Sequence, residues 1–481
     1  MVFGELIIGA SLPPPWSLLA YGLVGPVLLW QAGRLLDRLW WRPRRLERAL
    51  RAQGLRGTTY RFLLGDLREF GRLNEEAWSS TPLPLGCHDI VPRVTPFVHR
   101  NVRENGRPCF SWFGPIPNVT ITDPAQVRDV LSNKLGHFEK PNSCCRRFLR
   151  AVKSLWGNGW IPSVPTSLTG DVISRTAFGS SYREGRRIFQ LQTEQAELFI
   201  GAIQKIVIPG YMYLPTKKNR RMRRINSEVE SILRGIIGKR MQAIAEGEST
   251  NDDLLGLLLE SNMRHADENG RSSPGMTTED VIEECKLFYF AGMETTSVLL
   301  TWTMVVLSMH PEWQHRAREE VLGLFGRDKP DYEGLSRLKT VTMVLYEVLR
   351  LYPPAIVFSR KTYKEMEIGG VVYPSGVILE LPVLFIHHDR EIWGSDVHEF
   401  RPERFAEGIS RASNDHGAFL PFGWGPRVCI GQNFALLEAK MALCMILQRF
   451  EFELAASYTH APHTVITLHP MHGAQMKLRA I

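Results

Sequence analysis

Residues 277–309 read as one long helix, and no other stretch constrains the fold as strongly. Thr277 followed three residues later by Asp280 is a capping-box-like start, with Asp in place of the usual Glu or Gln. The helical pattern then runs to Met309 with Gly292 as its sole Gly or Pro, and His310-Pro311 ends it. At 1.5 Å per residue this helix is about 50 Å long, enough to cross a whole domain. Residues 183–246 read as further long helices, interrupted by an apolar break at 208–215, and helical pattern continues to Leu351 before Pro353-Pro354. A short helix is expected from Asp123-Pro124 through Leu131. Strand signals are brief, at 110–113, 119–121, 363–372 and 377–379. The expected class is therefore mainly α with a small β portion. The 481 residues, 44% hydrophobic and 22% charged, exclude a disordered chain. Length alone suggests about three domains, yet no repeat and no linker divides the chain after residue 34.

The first 33 residues have a different character. No charge occurs from Leu6 to Gly33, and after Pro13, Pro14 and Pro15 a clean apolar run extends over residues 16–33, near the short end of what spans a bilayer. Arg34, Arg38, Arg42, Arg44, Arg45, Arg48 and Arg51 follow, opposed by Asp37 and Glu47, a net +5 of the chain's +8. The expected division is a transmembrane anchor over 1–33 and a catalytic unit over 34–481, the latter on the cytosolic side by the positive-inside rule. Trp16, Trp30, Trp40 and Trp41 suit the two interfaces. A cleaved secretory signal is the alternative, but the basic residues follow the apolar run and no A-x-A-like site stands out. No later segment is expected to span. With its charge excess concentrated beside the anchor, the chain gives no sign of nucleic-acid binding. The cluster Lys217, Lys218, Arg220, Arg221, Arg223 and Arg224 reads as a solvated helix face or as a loop on an anionic membrane surface. Seven irregularly spaced Cys with no C-x-x-C pair argue against a disulfide framework or structural zinc and favour a reducing compartment.

Four constellations carry chemistry. The first is Phe422-Gly423-Trp424-Gly425-Pro426-Arg427-Val428-Cys429-Ile430-Gly431, ahead of an apolar helix over 433–447. A Cys thiolate can be the axial ligand of haem iron. It needs backbone N–H donors to moderate its charge, which a Gly-rich loop permits, and Arg427 offers a fixed cation for a haem propionate. The second is Ala291-Gly292-Met293-Glu294-Thr295-Thr296 in the long helix, where an interior Gly costs about 1 kcal/mol relative to Ala. The third, Glu347-Val348-Leu349-Arg350, places an acid and a base at i and i+3 on one helix face. The fourth is Pro402-Glu403-Arg404-Phe405.

Phe422, Gly425, Arg427, Cys429 and Gly431 together resemble the haem-binding signature of the cytochrome P450 monooxygenases, and the other three constellations stand in that family's order and spacing. The stretches at 53–66, 133–138, 171–179 and 214–221 resemble plant members of the clan that includes secologanin synthase. The resemblance implies haem b with Cys429 as the iron ligand, and Glu294 and Thr295 relaying protons beside small residues that leave a groove for dioxygen. It implies propionate contacts from Arg427 and Arg360, and a buried Glu347, Arg350 and Arg404 network that holds the ligand loop. It further implies an apolar, terpenoid-derived or hormone-like substrate. Electrons would come from an NADPH-dependent flavoprotein reductase, since the chain has no G-x-G-x-x-G fingerprint of its own, and the location would be the endoplasmic reticulum membrane, crossed once.

In one place the chain departs from that pattern. Members carry a Trp-x-x-x-Arg helix after the stretch matching 138–141, and both residues anchor a propionate. Here residues 149–163 lead almost directly into Leu168-Thr169-Gly170-Asp171. Trp156 has Trp160 four residues on and Trp160 has Val164, so neither completes the motif. About fifty residues, two or more helices, are expected to be missing near 150–165. Two explanations stay open, a gene-model or splice variant that drops an exon of a normal enzyme and an adapted active form; the alternative function is a non-catalytic membrane-tethered haem or apolar-ligand binding protein.

Overall fold

The structure, a computed structural model, describes residues 15–132, 138–139, 164–180, 182–200, 211–247, 253–259, 276–415 and 417–481. The expected shortfall near 150–165, with Trp156 and Trp160, lies outside the described residues apart from the start of the helix at 164. So do the first fourteen residues of the expected anchor.

Helix α1 (Pro15–Leu36) covers the rest of that anchor, and a π-helical turn, Asp37–Trp41, joins it to α2 (Arg42–Ala52). Val27, Leu28, Leu29 and Trp30 are all exposed, Leu29 to 75%, so this apolar surface finds no cover among the described residues. At its base the guanidinium groups of Arg34 and Arg44 sit 4.6 and 3.8 Å over the rings of Trp30 and Trp40.

The helices that matter for the site are α3 (Pro124–Ser132), α4 (Val164–Phe178), α5 (Tyr182–Ile200), α6 (Lys217–Ala245), α7 (Thr278–Met309), α8 (Pro311–Phe325), α9 (Thr340–Leu351) and α10 (Gln432–Leu447). The basic cluster occupies the first two turns of α6, where five of its six side chains are exposed and Arg221 pairs with Glu194. Strands are short, as expected: β1 (Arg56–Gly57), β2 (Cys109–Phe113), β3 (Ile116–Thr120), β4 (Phe138–Glu139), β5 (Phe358–Thr362), β6 (Met366–Ile368), β7 (Val371–Tyr373) and β8 (Ile378–Leu381). Near the C-terminus come β9 (Phe450–Leu454), β10 (Pro462–Thr464), β11 (Leu468–Pro470) and β12 (Met476–Ala480). Six strands form the main sheet in the order β1-β2-β3-β8-β5-β4, with β3 parallel to β8 and β5 antiparallel to it, Arg360 opposite Leu379.

Helix α7 is the spine. Its capping box is complete: the Asp280 N–H donates to Thr277 Oγ1 at 3.2 Å and the Thr277 N–H to Asp280 Oδ2 at 2.9 Å. Its N-terminal half, with Val281, Ile282, Cys285, Tyr289 and Met293, packs in a cluster with α4, α5 and α6. Its C-terminal half, from Val298 to Leu307, packs in a larger cluster with α8, α9, α10 and the main sheet. Lys286 lies wholly within the protein, its Nζ 2.7 Å from Glu283 and 3.0 Å from Glu230 of α6, so its charge is paired where water is excluded. Among the described residues α7 is the one helix long and apolar enough to cross a membrane, contrary to the expectation that no later segment would, but its most apolar stretch is 78% buried inside the protein. It is a core helix.

Gly292 departs from its expected role. A Cβ there would lie 2.6 Å from the side chain of Ile173, so the glycine lets α4 approach α7 closely instead of leaving an open groove on that face. Its local cost in helix propensity is met by interhelix packing.

Histidines inside the fold, with His88, His387, His388 and His460 buried and His463 half-buried, make it sensitive to acid. Burial holds His88 and His387 down to about 3, and His460 and His463 down to about 4. They are neutral in the folded chain, while the unfolded chain takes up protons below about 6.5. Stability is therefore expected to fall as pH drops from about 6.5 to about 4, each histidine adding up to about 1.4 kcal/mol per pH unit. Urea midpoints measured across that window check this, and a flat profile would contradict it.

Candidate active site

The ligand loop is set by its contacts with α3 and β5. Gly425 has φ of +71°, and a Cβ there would lie 2.7 Å from the Leu131 carbonyl oxygen at the end of α3, so no other residue fits. At Gly423 a Cβ would be in ordinary contact, 3.7 Å, with the ring of Phe358 on β5. The Cys429 N–H donates to the Phe422 carbonyl at 2.9 Å, closing the loop, and Gly431 is the N-cap of α10. Cys429 is exposed. Protein packed behind its sulfur raises the thiol pKa, and the Gly431 N–H donated to Sγ opposes that shift. Trp424, Val428, Ile430 and Phe434 leave apolar surface open beside it, with Ile430 exposed to 89%.

Arg360 supplies the second half of this site. It is buried at 8% exposure, its Nη1 donates to the Ser359 carbonyl at 3.1 Å, and neither it nor Arg427 has an acidic partner among the described residues. Burial first, and then the like charge of Arg427, lowers its pKa. Two mutually repelling cations without a carboxylate form a place for an anion. A thiol sulfur with an amide donor, open apolar surface and paired guanidinium groups fit a haem with its two propionates. Cys429 would hold the iron, and Arg360 and Arg427 the carboxylates.

In the middle of α7, Thr295 Oγ1 donates to the Ala291 carbonyl at 2.7 Å, an i−4 bond within the helix. Glu294 turns toward the C-terminal hairpin. Its Oε1 accepts from Thr467 Oγ1 at 3.0 Å and lies 2.8 Å from His469 Nε2. Sequence reasoning did not find Thr467 or His469, which no local motif marks.

Glu347, Arg350 and Arg404 meet in one buried cluster. Both side chains of the Glu347–Arg350 pair have no exposure, and two hydrogen bonds of 2.7 and 2.8 Å join them. Arg350 also donates to the carbonyls of His387 (3.0 Å), Val397 (2.8 Å) and Glu399 (3.3 Å). Arg404 Nε lies 3.6 Å from Glu347, and Arg404 donates to the Trp393 carbonyl at 3.0 Å. The cluster reaches the ligand loop through His387, a residue the sequence did not single out, whose Nε2 accepts the Leu420 N–H at 2.9 Å, two residues before Phe422.

Fold and site together define a haem-thiolate protein, and the comparisons agree: the sequence pattern of the cytochrome P450 family matches residues 161–471. The chain belongs to that family and is an oxidoreductase of the monooxygenase type. It is similar to cytochrome P450 CYP72A616 of Paris polyphylla, 53% identical over 508 aligned positions that take in 95% of this chain and 98% of the relative. It is also similar to cytochrome P450 72A15 of Arabidopsis thaliana, 48% identical over 94% of this chain and 96% of the relative. Secologanin synthase 2 of Catharanthus roseus is 44% identical over 94% of each.

Replacing Glu347 with Gln is expected to be severe, because it leaves Arg350 and Arg404 buried without their shared counter-charge. The expected loss is about 3–5 kcal/mol. Chemical denaturation of the variant measures it, and a loss below about 1 kcal/mol would show that the cluster is not held by charge.

Proposed function

We propose that this chain is a membrane-anchored haem-thiolate monooxygenase acting on an apolar, terpenoid-derived or hormone-like small molecule. The observation that carries the reading is the ligand loop: Cys429 is exposed on a loop closed by its own N–H on the Phe422 carbonyl and packed through Gly425 against the end of α3, in a chain whose buried Arg360 feels the like charge of Arg427 and has no acidic partner among the described residues. Haem b, when bound, supplies the activation of dioxygen and the transfer of one oxygen atom. The chain's own residues position and protect that group. Cys429 ligates through sulfur, and the Gly431 N–H tempers the sulfur's charge. Arg360 and Arg427 fix the orientation of the carboxylates. Thr295 holds a hydroxyl proton at Oγ1, and Glu294 is a buried carboxylate that can accept or give one. The Glu347, Arg350 and Arg404 cluster keeps the ligand loop in place through His387 and Leu420.

The exposed apolar face of α1 and the arginines after it support a single crossing of the endoplasmic reticulum membrane by 1–33, with 34–481 in the cytosol. Electrons are assigned to a membrane-bound, NADPH-dependent flavoprotein reductase. The likeness to secologanin synthase 2 of Catharanthus roseus supports a terpenoid-like substrate.

A second reading rests on the expected shortfall. Of 508 positions aligned with the Paris polyphylla relative, 95% of 481 residues fills about 457, so about 51 positions have no residue here. That supports the loss of about fifty residues near 150–165, with the Trp-x-x-x-Arg helix among them. The chain as it stands would then hold haem incompletely, as an inactive or ligand-binding form.

The reduced-CO difference spectrum separates these readings. The 481-residue chain is expected to show a thiolate-type Soret band at well under one haem per chain. Inserting the relative's segment is expected to bring it to full occupancy with NADPH-dependent turnover. Cys429→Ser is expected to abolish the thiolate-type band, and its persistence would remove Cys429 as ligand. Full occupancy of the unmodified chain would refute the shortfall. A completed chain that bound haem yet consumed no NADPH with any apolar compound would refute the enzyme reading.

A further inference from the structure

The alternation of one C-terminal strand decides what Glu294 touches. Leu468 is fully buried; its N–H donates to the Pro354 carbonyl at 3.2 Å and its carbonyl accepts from Trp302 Nε1 of α7 at 2.7 Å. Side chains at i−1 and i+1 of an extended residue share the opposite face, so pinning Leu468 puts Thr467 and His469 together. Thr467 Oγ1 and His469 Nε2 are 2.8 Å apart, and both reach the same oxygen of Glu294, at 3.0 and 2.8 Å. His463, opposite His469 in the β10–β11 pair, donates its Nδ1–H to the His469 carbonyl at 3.1 Å and braces the strand.

The three groups differ in their access to water. The Glu294 side chain is 7% exposed and has no Lys or Arg partner among the described residues, whereas the His469 side chain is 28% exposed. A buried carboxylate is costly without a counter-charge. Lys or Arg would neutralise it permanently, whereas an imidazole can neutralise it and also yield its proton at neutral pH.

We propose that His469 is the positioning residue through which Glu294 exchanges protons with bulk water, making the C-terminal hairpin the proton-supply arm of the site. The inference rests on the monooxygenase reading of Glu294 and Thr295. In the exchange the proton moves from His469 Nε2 to Glu294 Oε1, leaving a neutral imidazole beside a neutral carboxylic acid. The imidazole regains one proton from water. The acid passes its proton into the site and returns to carboxylate, so one proton enters per cycle and charge is conserved. Thr467 keeps the accepting oxygen aimed at the ring. Among the described residues, the charged and titratable groups that act on His463 of the hairpin are His469, His472 and Arg93, all basic, and burial holds His463 neutral.

Two measurements on the full chain test this. The first needs no haem: the infrared carboxyl band of Glu294 is identified by its loss in Glu294→Gln. In His469→Gln, which keeps an N–H donor but cannot carry a proton, that band is expected to shift from its position in the parent chain. The second uses the haem-loaded protein with NADPH, dioxygen and the reductase. His469→Gln is expected to slow proton-limited NADPH consumption about tenfold or more and to raise the solvent deuterium isotope effect. The double variant with Glu294→Gln is expected to be no slower than Glu294→Gln alone. His469→Lys keeps a cation for Glu294 but holds its proton. It is expected to fold like the parent while losing rate as His469→Gln does, which separates proton exchange from simple pairing. An unchanged infrared band, full rate in His469→Lys, or multiplicative losses in the double variant would overturn the proposal. A wild-type chain without a thiolate-type spectrum would instead refute the monooxygenase reading, and the infrared measurement would still decide whether His469 governs Glu294.

Discussion

The Glu347–Arg350 ion pair is the contact on which the site's geometry depends. Two charges without solvent exposure stabilise a fold only when every remaining donor and acceptor is met. Here the guanidinium group is met by the carbonyls of His387, Val397 and Glu399, and the carboxylate by the Arg401 N–H at 3.0 Å and by Arg404. Those partners lie on segments with no regular sheet or long helix to hold them, so the pair fixes irregular backbone that packing alone would leave loose. One of those segments, through the His387 ring and the Leu420 N–H, leads into the ligand loop. The ring also stacks on Phe419, with centroids 5.5 Å apart. A cysteine that must present its sulfur in one direction is thus held by an ion pair at the far end of a chain of hydrogen bonds.

Helix α7 imposes the second constraint. It is shared by two apolar clusters, and its residues change role along its length: packing toward α4 at Gly292, proton-bearing groups at Glu294 and Thr295, dense core beyond Val298. Because Glu294 faces the hairpin while the Thr295 hydroxyl bonds back along its own helix, consecutive residues serve two directions at once. A 100° step per residue makes this separation automatic.

What could be read in the sequence follows from how local each signal was. The ligand loop is ten contiguous residues and stood out at once. The capping box and the stop at His310-Pro311 are short-range, and the helix they bound starts and ends within a residue of where the pattern put it. Glu347 and Arg350 are one turn apart and visible as a pair, but Arg404 was placed only through the resemblance. Gly292 makes room for Ile173, a neighbour too far away in sequence for the local pattern to name. His387, Thr467 and His469 left no local signal. Their partners are 33 to 175 residues distant, and only the fold brings them together. The exposed face of α1 was legible because apolar side chains with no charge among them have no other plausible environment.

The proposed shortfall can be weighed against the cations that remain. Arg360 sits on β5, which pairs with β4, and β4 lies directly before the stretch where the segment would be missing. Arg427 sits on the loop that packs against the end of α3, which also precedes that stretch. Two propionates need two counter-charges, which these two guanidinium groups would supply, so the loss of a third cation would not leave the carboxylates unpaired. What the loss removes is cover. The apolar surface left open at Trp424, Val428, Ile430 and Phe434 belongs to the loop and remains whichever form of the chain is made. A macrocycle resting on it with one wall absent keeps its ligand and its charge partners but buries less apolar area, and burial is worth about 25 cal/mol per Å². The deficit then acts on how long the group stays bound more than on how it is recognised, which is why occupancy, and not the type of spectrum, is the quantity that distinguishes the shortened chain from a complete one.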